Sequence, residues 1–357
     1  MDLPLLFALV AAGAVALYVI ADGFDLGIGI LFLIAPRDRD RDVMMQSVAP
    51  FWDGNETWLV LGGAGLWAAF PMAYYVLLPA FYLPIMAMLF ALILRGISFE
   101  FRFQATRFQR VWDFAFAGGS LVAAICQGLI LGGFIQGVAV ENDQFAGGPF
   151  SFITFLGLLC AAGIVGGYAL LGAGWLIWRT EGKTQLFARE VAHAALILAM
   201  AMMAVVSAWT ALTEPRVAAR WFAWPGNLWL DLFPLAAVGV AVLIWRSLWT
   251  DHEHRPFVLA VVLFLLGYAG LIISIWPNVV PYHATIWQAA ADEATLKFAL
   301  VGIFVVLPAV LAYTVHAYWV FRGKTNLEDH GAHGADAGAY GHAGQRNSAL
   351  STDLHFS

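Results

Sequence analysis

The chain has 357 residues, of which 61% are hydrophobic and only 12% charged, with a net charge of −6 and a mean hydropathy of +0.77. A soluble domain carries about 25% charged residues, so a water-soluble enzyme is excluded. No basic patch suggests nucleic-acid binding, and the two cysteines, Cys126 and Cys160, lie in apolar runs and read as small core residues, not as a disulfide or metal pair.

The first apolar run, residues 3–34, follows Met1 and Asp2 directly. It lacks the basic start and small-residue cleavage site of a secretory signal, so it is expected to persist as a membrane helix. As one helix it would be roughly 46 Å long against a hydrocarbon core of roughly 30 Å, so it must tilt, break near Asp22-Gly23 or project beyond the bilayer. Eight more spans are predicted at 56–71, 75–97, 113–139, 152–178, 191–213, 228–249, 257–276 and 296–321. The expected fold class is therefore an all-α polytopic membrane protein with nine transmembrane helices. Residues 1–325 form the membrane domain, and residues 326–357 form a Gly/Ala/His-rich tail expected to be disordered.

Charge orients the bundle. All but three of the 18 Lys and Arg residues fall in the odd-numbered loops, at the span ends that border them (Arg95, Arg246) or in the C-terminal tail; Arg216, Arg220 and Lys297 are the exceptions. The positive-inside rule then puts the N-terminus outside and the C-terminus in the cytoplasm, which requires an odd number of spans. Trp112, Trp175, Trp178, Trp245, Trp249 and Trp319 are expected in an inner aromatic belt. Trp67, Trp209, Trp221, Trp224, Trp229, Trp276 and Trp287 are expected in an outer one. Gly23/Gly27, Gly128/Gly132 and Gly163/Gly167 have the spacing of close helix–helix contacts.

Ionisable groups at membrane depth are expensive and mark function by default. Asp22 and Asp25, three residues apart, share a face of the first span. Either they conduct protons, or Asp22 caps a helix that restarts after a break. Trp52-Asp53-Gly54-Asn55-Glu56-Thr57-Trp58 puts two more carboxyls where the second span begins, and Asp53 and Glu56 have the spacing of a capping box. Arg95, Glu100 and Arg102 close the third span; Arg95 and Glu100 fall on different faces and need separate partners. Gln127 and Gln136 are expected to bond between helices. Histidine is nearly absent from the spans: only His193 and His316 fall within them, both near inner ends, so the chain is not expected to ligate haem iron.

Several stretches resemble subunit II of the cytochrome bd family of quinol oxidases, the cyanide-insensitive branch included. They are Tyr18-Val-Ile-Ala-Asp-Gly-Phe-Asp-Leu-Gly27, the Ala49–Gly63 block around Trp52–Trp58, Leu94-Arg-Gly-Ile-Ser-Phe-Glu-Phe-Arg102, and Trp276-Pro-Asn-Val-Val-Pro281. The resemblance implies two four-helix bundles plus one peripheral helix, in a multi-pass subunit of the bacterial inner membrane. It implies a heterodimer with a larger subunit I that holds haem b and further d-type or b-type haems, oxidises quinol and reduces dioxygen to water. A small accessory subunit and a quinone or lipid contact are also compatible with it. In that setting Asp25 and Asp53, with Glu56 and Asp22 behind them, are the expected proton pathway. Trp58 is assigned to an oxygen route or to packing. Arg95, Glu100 and Arg102 are assigned to the subunit interface, the arginines near haem propionates. The competing reading from another class is a proton-coupled secondary transporter.

Overall fold

The structure, a computed structural model, describes residues 2–105, 107–223 and 228–325. Trp224 of the expected outer belt and the whole tail 326–357 lie outside the described residues. The fold is helical: α1 (Leu3–Phe32), α2 (Asp38–Gln46), α3 (Trp52–Ala69), α4 (Pro71–Ala80), α5 (Tyr82–Gln104), α6 (Gln109–Gln136), α7 (Phe155–Arg179), α8 (Gly182–Thr213), α9 (Pro215–Trp221), α10 (Leu232–Ser247), α11 (Arg255–Ile275) and α12 (Glu293–Val320). Two short antiparallel strand pairs complete it, β1 (Val140–Glu141) with β2 (Gln144–Phe145) and β3 (Asn278–Val280) with β4 (Ala284–Thr285).

Among the described residues, eight helices are long and apolar enough to cross a membrane: α1, α5, α6, α7, α8, α10, α11 and α12. The predicted second span, now α3, is not among them, because Asp53, Asn55, Glu56 and Thr57 crowd its first two turns. The predicted third span, 75–97, divides. The chain turns at Phe81 between α4, which contains Pro79, and α5, which runs on to Gln104. Pro84, in the first turn of α5, has no N–H to give the Ala80 carbonyl, as a helix continuing through Phe81 would require. In contrast, α1 does not break at Gly23. It is one helix of 30 residues, about 45 Å long.

Both ends of the bundle are fixed by polar contacts. At one end, Asp2 caps α1 by accepting from the Leu5 N–H and also accepts from Trp287 Nε1. At that same end the Ala69 carbonyl closes α3 by accepting from Ala291 N at 2.9 Å, and Tyr282 donates to the Ile135 carbonyl. At the opposite end, Arg102 donates to Asp42 and Asp113, each at 2.6 Å, tying α5 to α2 and α6. There the residues after α12 are clamped as well. Thr325 N donates to the Arg179 carbonyl, and Lys324 Nζ bonds Glu253 at 2.6 Å and the Thr180 carbonyl at 3.1 Å. The N- and C-terminal ends of the described chain thus lie at opposite ends of the bundle.

The core sits along α7, the most deeply buried of the long helices. It crosses α1 with no room for side chains: a Cβ on Gly27 would lie 1.8 Å from the Tyr168 carbonyl oxygen, and one on Gly172 would lie 2.6 Å from Gly27. Gly128 and Gly132 of α6 meet Ala161 and Gly157 of α7 in the same way. Close backbone approach gathers the dispersion contacts that hold helices together where lipid offers no hydrophobic drive. The third predicted pair does not act as a unit, since Gly163 faces Met202 while Gly167 faces Phe264. Trp175 corrects the belt assignment: it is buried, stacks on Phe24 at 4.3 Å and donates to the Ser47 carbonyl. Trp67, Trp249, Trp287 and Trp319 are exposed, as interfacial rings should be. Cys126 and Cys160 are free and buried.

Two outcomes follow from this packing. Gly27→Val forces α1 off α7 and should lower the melting temperature of the purified protein, through an overpacking cost of about 3 kcal/mol or more. Gly239→Ala, where an added Cβ meets nothing within 4 Å, should leave the melting temperature unchanged. At the clamp, the bonds from Lys324 and then Gln185 hold the Glu253 carboxyl below its usual range. A depressed carboxyl stabilises the fold above its unfolded pKa and loses that contribution as pH falls through the folded one. Hydrogen-exchange protection of the Thr325 amide should therefore fall on acidification, and in Glu253→Gln it should already be reduced at neutral pH.

Candidate functional site

A cluster of ionisable side chains sits inside the bundle, and each member has a local reason for its place. Asp22 and Asp25 lie in the uninterrupted part of α1 and are 0% and 1% exposed. Because the helix does not break, Asp22 caps nothing. Arg95, two and a half turns before the end of α5, is also 0% exposed. It donates from Nη1 to Asp22 Oδ1 at 2.6 Å and from Nη2 to Glu56 Oε2 at 3.3 Å. Glu56, on α3, keeps 27% of its side chain exposed. One guanidinium therefore ties α1, α3 and α5 together.

Asp25 is held differently. Asn55 donates from Nδ2 to Asp25 Oδ2 at 2.8 Å and also reaches the Ala21 carbonyl at 3.3 Å. The Asn55 amide oxygen accepts from the Tyr318 hydroxyl of α12 at 2.9 Å. Asp22 Oδ2 and Asp25 Oδ1 are buried without a hydrogen-bond partner. Beyond Asp22, one turn back on α1, Tyr18 accepts from Gln127 Nε2 at 2.9 Å, and Tyr168 of α7 donates to Gln127 Oε1. Gln127 thus bonds between helices as expected, whereas Gln136, the last residue of α6, is exposed. The cluster sets three carboxyls against one cation. Removing the cation alone would leave buried charge uncompensated, at a cost of about 3–5 kcal/mol.

The expected site residues do not share one environment. Asp53 is exposed and outside the cluster. It does not cap α3 either: the cap position is Phe51, and the Trp52 and Asn55 N–H groups are taken by the Val48 and Phe51 carbonyls. Arg95 and Arg102 do not reach outward. Both side chains are 0% exposed and are spent on carboxylates of this chain, and the Arg102 guanidinium also lies 5.2 Å from the Phe32 ring. Of the three residues assigned to the subunit interface, Glu100 alone is exposed. Trp58 is 1% exposed and packs with Ala14 and Tyr18. Tyr318 was not foreseen as a site residue.

Among the described residues, no group of three or more His, Cys, Asp or Glu side chains is placed to hold a metal ion. The two span histidines lie on different helices, α8 and α12. His193 of α8 is wedged against Trp245 and Trp249, with Nδ1 engaged by the Arg189 carbonyl. His316 is exposed on α12 beside Trp319.

Known proteins are similar to this chain in sequence and in fold. Residues 3–321 match the family described as cytochrome bd terminal oxidase subunit II. The chain is 29% identical to the cytochrome bd-I ubiquinol oxidase subunit 2 of Escherichia coli, covering 87% of this chain and 92% of that one. It is 27% identical to the cytochrome bd ubiquinol oxidase subunit 2 of Bacillus subtilis, covering 90% and 96%. In fold it resembles a chain of the bd oxidase from Geobacillus thermodenitrificans, with a TM-score of 0.74 at 15% identity, covering 90% of this chain and 99% of that chain. A polytopic helical chain with this buried charge cluster, matched over nearly its whole membrane domain, belongs to the cytochrome bd terminal oxidase subunit II family and is a multi-pass inner-membrane subunit of an oxidoreductase complex.

Proposed function

We propose that this chain supports a haem-bearing subunit I in the four-electron reduction of dioxygen to water, and that it delivers protons from the cytoplasm through Asp25. The observation that carries the proposal is the buried cluster itself. Three carboxyls around one guanidinium provide sites that take up and release protons inside an apolar bundle. The haems of the complex supply the electron transfer and oxygen chemistry; this chain's residues supply structure and protons.

Within the cluster the roles divide by contact. Asp22 is the counter-ion that fixes Arg95, since it makes the shorter of that arginine's two carboxylate contacts. Asp25 is bonded only by a neutral amide and is the proton acceptor. Glu56, partly exposed, links the cluster to the surface. Asp53, exposed three residues earlier on α3, is an outer station of the same path. Trp58, packed among Ala14, Tyr18 and Leu307, is assigned to the wall of the bundle.

The orientation we adopt is N-terminus outside and C-terminus in the cytoplasm, with α3 as a ninth traverse. The course of α3 supports this. Its start lies with Phe51 beside Arg179 and Phe321, and its end is bonded to Ala291. We group α1, α3, α5 and α6 as one bundle and α7, α8, α10 and α11 as the other. The peripheral helix is α12, in which Leu296 is the one buried residue. The transporter reading is disfavoured by the family to which the chain belongs.

In the intact oxidase, Asp25→Asn keeps the shape of the site and should cut quinol-driven oxygen consumption by roughly tenfold or more while leaving the haem spectrum unchanged. Asp53→Asn should slow it less. Unchanged turnover in Asp25→Asn would remove the proton-path reading. Arg95→Leu should instead prevent assembly, seen as loss of the haem-bearing complex on purification. Leu in that position with a normal complex would show that the ion pair does not hold the bundle.

A further inference from the structure

Between the first turn of α3 and the C-terminal third of α12 lies a cleft with about 10 Å³ of free space, on the order of what one water needs. Pro50 and Phe51 wall it at the end of the bundle where Arg179 and Phe321 lie. Asn55, Tyr313, Thr314 and Tyr318 bring hydrogen-bonding side chains to an otherwise apolar lining. Asn55 and the Tyr318 hydroxyl line it and are bonded to each other. Thr314 lines it too, and its hydroxyl oxygen is buried without a hydrogen-bond partner. A buried hydroxyl with nothing to bond is costly, and a water in the cleft would satisfy it.

Asn55 belongs to both sides of the cleft wall. It lines the cleft and, through Nδ2, it bonds Asp25 Oδ2. The carboxylate is therefore one side chain away from this space. We propose that the cleft holds the water that delivers protons to Asp25, with Thr314 and Tyr318 as positioning residues and Asn55 as the gate between water and carboxylate. The proposal rests on the reading of Asp25 as proton acceptor. An amide is a poor proton relay, so Asn55 must swing aside for water to reach the carboxylate, and the proton then passes from that water to a free lone pair of Asp25. Tyr318 sets the gate by bonding the Asn55 oxygen, and it is itself held by stacking on Phe51 at 4.6 Å.

The test uses the whole oxidase. Pre-reduced enzyme is mixed with dioxygen, and proton uptake is followed with a pH-indicator dye in H₂O and in D₂O; the haem spectrum reports assembly. Ala317→Leu fills the cleft, Thr314→Val removes a hydroxyl at nearly constant volume, and Tyr318→Phe removes a hydroxyl while keeping the stacked ring. Each should slow uptake by about three- to tenfold and raise the solvent isotope effect, and Thr314→Ser should recover most of the loss. A merely structural role would not change the isotope effect. If Asp25→Asn slows uptake but Ala317→Leu and Thr314→Val assemble and take up protons at the wild-type rate, the cleft proposal is overturned and the role of Asp25 stands. If Asp25→Asn itself takes up protons normally, both are overturned.

Discussion

The contact between Arg95 and Asp22 is the constraint around which this bundle is arranged. Neither side chain has any exposed surface, so neither charge can be hydrated, and each depends on the other. Their partners come from three helices, which fixes the relative depth of α1, α3 and α5 more tightly than apolar packing could. Apolar side chains slide past one another at little cost, whereas a guanidinium displaced by one turn would lose both carboxylates. The glycine crossing of α1 on α7 works with this pair. By bringing the two backbones into contact at Gly27 and Gly172 it sets the rotation of α1, so that Asp22 turns to Arg95 and Asp25 turns to Asn55.

Two kinds of buried charge coexist here, and they suit different tasks. Arg102, with Asp42 and Asp113, is a knot at the end of the bundle: one cation faces an aromatic ring and two carboxylates that both keep some exposed surface. It staples α5 to α2 and α6. The Arg95 cluster lies deeper in the bundle. It has an excess of carboxyls, unpaired carboxylate oxygens and a thread of neutral hydrogen-bonding groups that leads through Asn55 to a peripheral helix. A carboxylate bonded to a cation resists protonation, while one bonded only by a neutral amide, as Asp25 is, takes up a proton more readily. That difference supports reading the second as the part of the chain that handles protons.

Much of this was legible in the sequence, and the failures have physical causes. Asp22, Asp25 and Glu56 stood out because a carboxyl in an apolar run is improbable without a partner. Arg95 is visible too, but spacing along α5 reveals only which face it occupies and not that Asp22 and Glu56 of the same chain meet it. Asp53 imitates a capping box, yet the turn that precedes α3 already supplies carbonyls to its first N–H groups. The division of the third span at Phe81 is hidden because Pro79 and Pro84 sit in a run whose hydropathy does not change. Tyr318 gave little signal, since one hydroxyl near the end of an otherwise apolar helix reads as an interfacial aromatic. Its role appears only when α12 is laid against the first turn of α3.

The central claim is that Asp25 changes its protonation in step with the redox chemistry of the complex. The most direct measurement is a reduced-minus-oxidised infrared difference spectrum of the intact oxidase, read in the carboxylic-acid C=O stretching region. The account predicts a carboxyl band that shifts in D₂O and disappears in Asp25→Asn. A spectrum in which that region is identical in wild type and variant would contradict it.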